Sequence, residues 1–175
     1  METLIKKSVS AYILHHGRVL LVQEEKTNSP SMRHMAADQP VVFTNPPGGK
    51  QEHYTVEQAL NMEVDQEAGV PLKKVGDLLC RITKNDPSKN VIIEKDIFEC
   101  EIEQDEKVFI PHDPDKAVTR AFLASKKEAL KCARTHPDKA VGFALECLLK
   151  GKTGLHHIYD IDAEGKSRLV SVNPL

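Results

Sequence analysis

The side chains best suited to chemistry in this 175-residue sequence are two glutamates, Glu63 and Glu67, four positions apart. In a helix, Gln66 would join them, so three oxygen-bearing side chains would share one face. Like charges at this spacing cost a helix roughly a few tenths of a kcal/mol. Mg²⁺ reverses that sign, because it prefers carboxylate oxygens and fills its other positions with water or phosphate. The spacing alone therefore fits either a solvated surface or a cation site.

A pair of glycines shortly before the glutamates favours the cation site. Backbone without side chains, as at Gly48 and Gly49, can approach a phosphate or lend a carbonyl oxygen to a metal. The helix that follows has clear ends. Thr55 and Gln58 form a capping box at its start, and Gly69 occupies the position of a left-handed C-cap residue. We therefore predict a glycine loop that leads into one short helix.

The stretch from Gly48 to Val70 resembles the Nudix box. That family's pattern is G-x5-E-x7-R-E-U-x-E-E-x-G-U, in which U is an aliphatic residue. The resemblance lies in Gly48-Gly49-Lys50-x-Glu52 and in Met62-Glu63-Val64-x-Gln66-Glu67-x-Gly69-Val70. The family's metal-binding glutamates fall on Glu63 and Glu67 of this chain.

Three positions depart from the family pattern. Met62 replaces the arginine that orients the neighbouring glutamate, and Gln66 replaces the first glutamate of the paired acids. The loop glutamate is absent, with Tyr54 or Thr55 near its place. Because glutamine lacks the negative charge, we expect weaker metal binding, and a slow hydrolase or one that needs a high metal concentration.

The resemblance implies a fold and a metal site. The fold would be α/β (α+β): a Nudix-type α/β/α sandwich, with a mixed sheet flanked by helices. Glu63 and Glu67 would be catalytic and would hold Mg²⁺ or Mn²⁺. The carbonyl oxygen of Gly48 and the amide oxygen of Gln66 would be further ligands.

The resemblance also implies a small-molecule substrate, a nucleoside diphosphate linked to another moiety. Nucleotide sugars, dinucleotides and nucleoside triphosphates are of this kind, and hydrolysis would release a nucleoside monophosphate and a phosphorylated product. Gly48, Gly49 and Lys50 would face this substrate. Arg33, in the long polar stretch from Glu24 to Gln39, is a further candidate. An acid from the later part of the chain, among those between Glu94 and Glu106, would be the base or an extra ligand.

A second hypothesis comes from a different class of protein. The three altered positions suit a catalytically weak or inactive Nudix-like protein that binds a nucleotide or a protein partner as a regulator. The two glutamates at i and i+4, which give a helix no structural benefit, favour the hydrolase. A domain in which the box is only a relic of the fold is the third alternative.

The rest of the chain is expected to form one Nudix-like domain, residues 1–175. A hairpin at residues 155–175 extends it beyond the resemblance. Strands are predicted over 8–15, 19–23, 41–44, 74–83, 90–102 and 118–123. Helices are predicted after Ser125, which forms a capping box with Glu128, and around the apolar stripe that begins at Val141 and ends before Gly151. That stripe indicates core or dimer contact, so a homodimer is among the alternatives.

Composition excludes several functions. A formal net charge of −2 gives no basic footprint for nucleic acid. No apolar run is long enough to span a bilayer, and the N-terminus lacks a signal peptide, so we expect a cytoplasmic protein without membrane partners. The four cysteines are widely spaced, which predicts buried thiols rather than a metal cluster. The adjacent pairs His15-His16 and His156-His157 would point to opposite faces of strands and are predicted to be structural.

Overall fold

The computed structural model describes residues 2–26, 41–103, 108–114 and 117–175. Within these ranges the strands are β1 (Leu4–His15), β2 (Arg18–Lys26), β3 (Val41–Asn45), β4 (Gly48–Lys50), β5 (Leu72–Asp86), β6 (Val91–Ile102), β7 (Val118–Ala124), β8 (Leu155–Ile161) and β9 (Ser167–Pro174). The helices are α1 (Val56–Ala68), α2 (Lys126–Thr135) and α3 (Lys139–Leu149).

The strands form a mixed sheet in the order β3-β2-β1-β6-β5-β8-β9, with β4 paired to β1 and β7 paired to β2. Strand β1 is its junction, parallel to β6 and antiparallel to β2 and β4. Alternate residues of β1 (Val9, Ala11 and Ile13) pack in one cluster with α1. Tyr12, on the opposite face, packs with α2 and α3. Helices therefore cover both faces of the sheet, and the predicted α/β/α sandwich is confirmed.

Helix α1 begins and ends where its local chemistry predicts. The Thr55 hydroxyl accepts the Gln58 N–H, and the Gln58 side chain accepts the Thr55 N–H, so both halves of the capping box are present. Gly69 adopts a φ of 70°, a conformation that glycine reaches without steric cost. Leu60 and Val64 are fully buried on the face toward β1. The second capping box, at the start of α2, is also confirmed.

The predicted terminal hairpin is confirmed as β8 and β9. Strand β8 lies parallel to β5, so the hairpin extends the sheet instead of forming a separate layer. The two adjacent histidines of β8 lie on opposite faces, as predicted. His156 Nε2 lies 2.8 Å from the Thr83 hydroxyl oxygen, whereas His157 is fully buried and packs edge-on against Phe143.

Three predicted loop or turn segments are strands at least in part. Residues 24–26, expected in the long polar loop, continue β2 and pair with β3. The glycine segment 48–50, expected as a loop, forms β4 and pairs with residues 8–10 of β1. Residues 84–86, expected in a turn, continue β5. The first two segments pair with strands remote in sequence, whereas residues 84–86 pair with residues 91–93 across a hairpin and, on the other side, with β8. Cross-strand pairing determines the conformation in all three.

Arg33 and the rest of the stretch 27–40 lie outside the described residues. Across the part of the chain that is described, no helix has both the length and the apolar character required to cross a membrane.

Candidate active site

Glu67 is the centre of the candidate site. It lies in the last turn of α1 and is only 8% exposed. The backbone N–H of Gly48, at the start of β4, donates a hydrogen bond to its Oε2 at 2.7 Å. This bond fixes the carboxyl group against β4, the glycine strand, which contains Gly48 and Gly49. The Nudix-like stretch therefore closes on itself, because its first glycine contacts its last glutamate.

Glu63, one turn earlier in α1, lies against the second glycine. A Cβ placed on Gly49 would overlap the Glu63 carboxylate, so the absence of a side chain at position 49 is what lets the carboxylate lie there. The structure thus brings Gly48, Gly49, Glu63 and Glu67 together, as predicted. The Lys50 side chain is 83% exposed, and its ammonium lies 3.9 Å from the Glu52 carboxylate.

The Glu67 carboxyl has a strongly shifted pKa. Burial is the largest cause and raises this pKa from an ordinary 4.5 to about 8. The Gly48 N–H lowers the pKa, the negative charges of Glu24 and Glu63 raise it, and Lys95 lowers it. Burial and like charge both disfavour the ionised form. A bound cation would relieve the part of this cost that comes from charge.

Sequence reasoning missed two charged residues of this site, Glu24 and Lys95. The sequence predicts Glu24 in a loop, but it lies in β2 and is 6% exposed. Lys95 lies among the acids of β6, paired in register with Ser8 of β1 and Ile82 of β5. Burial lowers the pKa of Lys95, whereas the charges of Glu24, Asp138 and Glu67 raise it. In the sequence, the feature that sets Lys95 apart is its position as a lysine among the alternating acids of β6.

The two altered helix positions of the box, Met62 and Gln66, make no side-chain hydrogen bond to Glu63 or Glu67 among those the structure describes. Gln66 is half-buried, and its backbone carbonyl accepts the N–H of His112 at 2.8 Å. Its predicted role as a ligand, like that of the Gly48 carbonyl, stays a prediction. Met62 is half-buried and offers no charge to Glu63 in place of the missing arginine.

Several acids of β6, which were candidates for a later base, face other partners. Asp96 accepts two hydrogen bonds of 2.6 Å from the Arg81 guanidinium. Glu94 and Glu101 lie 4.0 Å from Lys7 and Lys73 respectively. Asp105 and Glu106 lie outside the described residues.

The carboxylate pair fits a divalent cation bound through few protein ligands. Among the described residues, no group of three or more His, Cys, Asp or Glu side chains has the geometry to hold a metal. Mg²⁺ needs only one or two carboxylates, because water and substrate phosphates complete its octahedron. Around Glu67, the acids Glu24 and Glu63 outnumber the one ammonium of Lys95. Glu63 and Glu67 are therefore the residues that could hold the metal.

A surface hollow of about 560 Å³ lies at the other end of α1. Its lining comes from the capping segment and the first turns of the helix: Tyr54, Thr55, Glu57, Gln58 and Asn61. It contains none of the predicted metal ligands. The hollow is therefore separate from the candidate site, which lies between β4 and the last turns of α1.

Comparison with known proteins identifies the fold. No family model and no curated protein matches the sequence. Among solved structures, a NUDIX hydrolase from Nitrosomonas europaea superposes with a TM-score of 0.63 at 20% identity, covering 85% of this chain and 90% of its own. The mMutator MutT protein from Bacillus halodurans gives 0.62 at 16% identity, covering 96% of both chains. This chain has the Nudix fold. The fold that the degenerate box implied is thereby confirmed.

The Nudix fold also relates this chain to an ADP-ribose pyrophosphatase from Streptococcus suis. That structure superposes with a TM-score of 0.50 at 18% identity, covering 82% of this chain and 91% of its own. Within this Nudix fold, the degenerate box forms β4 and α1. These are the two elements that the Gly48–Glu67 hydrogen bond joins.

Proposed function

We propose that the protein is a metal-dependent hydrolase that cleaves the pyrophosphate of a nucleoside diphosphate linked to another moiety. The observation that carries this proposal is the contact of β4, which contains Gly48 and Gly49, with the two candidate metal-binding glutamates of α1. Gly48 N–H binds Glu67 Oε2 at 2.7 Å, and Glu63 occupies the space that a side chain at position 49 would fill. This arrangement places two carboxylates beside backbone that a phosphate can approach.

The residues of β4 and α1 would have different roles in this reaction. Glu63 and Glu67 would hold the cation, and the Gly48 N–H keeps the Glu67 carboxylate oriented before the cation arrives. A divalent cation bound there supplies charge neutralisation for the diphosphate and lowers the pKa of water. The small residues of β4 leave room for the phosphates. Gln66 would contribute a neutral oxygen where a third carboxylate would bind more strongly.

The choice of substrate class draws on the named structures of the same fold. One of them is described as an ADP-ribose pyrophosphatase, and ADP-ribose is a nucleoside diphosphate linked to a sugar. Nucleotide sugars, dinucleotides and nucleoside triphosphates are the candidates for this chain. The expected products are a nucleoside monophosphate and a phosphorylated second product, with Mg²⁺ or Mn²⁺ as the cation.

Turnover across a substrate panel tests this proposal. The panel contains nucleotide sugars, dinucleotides and nucleoside triphosphates, each assayed with Mg²⁺, with Mn²⁺ and with a chelator. We expect metal-dependent release of a nucleoside monophosphate from at least one class. Glu67→Gln should reduce this turnover at least a hundredfold, because it removes a charged cation ligand (an effect of about 3 kcal/mol).

Glu57→Gln is the matched control, because Glu57 is an exposed glutamate in the first turn of the same helix. It should leave turnover within about twofold of wild type. Equal turnover in wild type and Glu67→Gln would refute the proposal. Absence of turnover across the whole panel, combined with tight nucleotide binding, would favour the regulatory alternative. Substrate contact by Arg33 and Lys50 and assembly as a homodimer stay predictions.

A further inference from the structure

A chain of buried hydrogen bonds leads from the corner between α2 and α3 to Glu24. The backbone N–H of Asp138 donates to His136 Nδ1 at 3.0 Å, and His136 Nε2 lies 2.7 Å from Asn45 Oδ1. Asn45 Nδ2 then donates to Glu24 Oε1 at 2.8 Å. His136, Asn45 and Glu24 are 3%, 9% and 6% exposed, so water has little access to the chain.

The direction of these bonds follows from Glu24. A carboxylate only accepts hydrogen bonds, so the Asn45 amide nitrogen faces it and the Asn45 oxygen faces His136. The imidazole must then donate from Nε2, and its Nδ1 accepts the Asp138 N–H. Burial also lowers the pKa of His136 to about 4, so the ring is neutral near pH 7. The tautomer protonated at Nε2 satisfies the bonds to Asn45 and to the Asp138 N–H, whereas the Asp138 carbonyl oxygen, 2.9 Å from Nδ1, receives no hydrogen from the ring.

The segment 45–48 connects this chain to the candidate cation site. Asn45 donates to Glu24, and three residues later the Gly48 N–H donates to Glu67. The same short stretch of backbone therefore holds both acids. Both acids are buried, Glu24 at 6% and Glu67 at 8% exposure, so water screens their charges little. Lys95 interacts with both.

We propose that Glu24 is a further residue of the cation centre, acting as a fixed negative charge beside Glu67, and that His136 and Asn45 are its positioning residues. The role of Glu24 is electrostatic: it increases the affinity of the Glu63–Glu67 pair for a divalent cation without direct coordination. This inference rests on the proposed function. Partners outside the first ligand shell commonly contribute 10–100-fold to metal affinity or activity.

Mn²⁺ affinity, measured by electron paramagnetic resonance without substrate, tests the inference. Glu24→Gln should weaken Mn²⁺ binding about tenfold, because it removes the charge and keeps the shape. His136→Asn should weaken it by a similar factor, since the shorter amide cannot reach Asn45. His136→Gln places an N–H near the Nε2 position and should stay within about threefold of wild type. His156→Asn, on the outer hairpin, is the matched control and should change nothing.

A double-mutant cycle separates positioning from general stability. If His136 acts through Glu24, adding His136→Asn to Glu24→Gln should weaken Mn²⁺ binding no further. Asn45→Leu should reproduce the loss seen in His136→Asn and provides a second variant if that one does not fold. In the metal-free protein, the ¹⁵N shifts of the His136 ring should report a proton on Nε2.

Two results would overturn the inference and leave the proposed function intact. One is wild-type Mn²⁺ affinity in Glu24→Gln and His136→Asn while Glu63→Gln with Glu67→Gln weakens binding. The other is a His136 ring protonated on Nδ1. Unchanged affinity in the Glu63 and Glu67 double variant would instead refute the cation centre on which the proposed function rests.

Discussion

At the scale of single residues, burial shifts the pKa values of Glu67 and His136 in opposite directions. Glu67 is a buried acid with like charges nearby, and its pKa is raised to about 8. His136 is a buried base whose pKa is lowered to about 4, and hydrogen bonds to the neutral ring satisfy both nitrogens. The first arrangement favours binding of a cation, whereas the second holds a neighbouring side chain in place.

Restoring the two altered helix positions of the box tests how the degeneracy affects metal binding. Gln66→Glu combined with Met62→Arg adds one carboxylate near Glu63 and Glu67 and one cation to orient it. We expect Mn²⁺ affinity and turnover to rise about tenfold, since each carboxylate ligand strengthens binding of a hard cation. Titration with Mn²⁺ and steady-state kinetics measure the two effects. Unchanged affinity and turnover would contradict our explanation of the degenerate box.

His136 predicts a loss of stability in acid. Its folded pKa of about 4 lies below the ordinary 6.5, so the unfolded chain takes up a proton first as the pH falls. Its contribution to stability is complete above about pH 6.5 and is lost as the pH falls toward 4, by about 3 kcal/mol in total. Urea unfolding of wild type and His136→Gln at pH 7, 5.5 and 4.5 measures this. The two free energies should converge as the pH falls, and parallel curves would show that His136 is not the cause.

At the scale of secondary structure elements, the site depends on contact between β4 and α1. Gly49→Ala tests that contact, since the new Cβ would displace the Glu63 carboxylate. The backbone at position 49 is not in the left-handed region, and a glutamate side chain can move, so we expect stability to change by less than about 1 kcal/mol. Turnover and Mn²⁺ affinity should fall about tenfold or more. Loss of folding in place of loss of binding would contradict this assignment.

Gly69→Ala is the matched substitution at the C-cap of α1. There φ is 70°, and a Cβ would overlap the backbone carbonyl of Ile110. Backbone cannot move as a side chain does, so this variant should lose about 2 kcal/mol of stability. Thermal unfolding of the two alanine variants distinguishes a glycine required for the site from a glycine required for the fold.

The elements that sequence predicted best are those determined locally. Both capping boxes and Gly69 marked the helix ends because their hydrogen bonds involve near neighbours in sequence. The strand at 48–50 and the extension of β2 through Glu24 depend on pairing with distant segments, so local sequence gave no sign of them. The same limit applies to the site. Glu63 and Glu67 were predicted because they match the Nudix box, whereas only the topology brings in Lys95 and His136.

At the scale of the whole molecule, the terminal hairpin packs in the core on the α3 side of the sheet, on the face opposite α1. Tyr159 of β8 is 3% exposed and packs in one cluster with Cys80 of β5 and Ala144 of α3. The first residue before α3, Asp138, caps that helix and forms an ion pair with Lys84 of β5. The hairpin therefore supports the helix whose start contains the His136 corner.

Tyr159→Ala tests this support. We expect a loss of about 3 kcal/mol, because the substitution removes a large buried ring from the cluster beneath α3. Leu169→Ala in β9 is the control, since that side chain is 44% exposed and should cost less than about 1 kcal/mol. Urea unfolding measures both. Equal losses would show that the hairpin packs on the sheet without supporting α3.

The position of Mn²⁺ in soaked crystals, located by its anomalous scattering, tests the cation centre directly. We predict a peak in contact with the carboxylate oxygens of Glu63 and Glu67, beside the backbone of Gly48 and Gly49. The peak should be absent from crystals of the Glu63→Gln, Glu67→Gln double variant. A peak elsewhere in the wild-type protein, with none at this pair under saturating Mn²⁺, would refute a cation centre at Glu63 and Glu67.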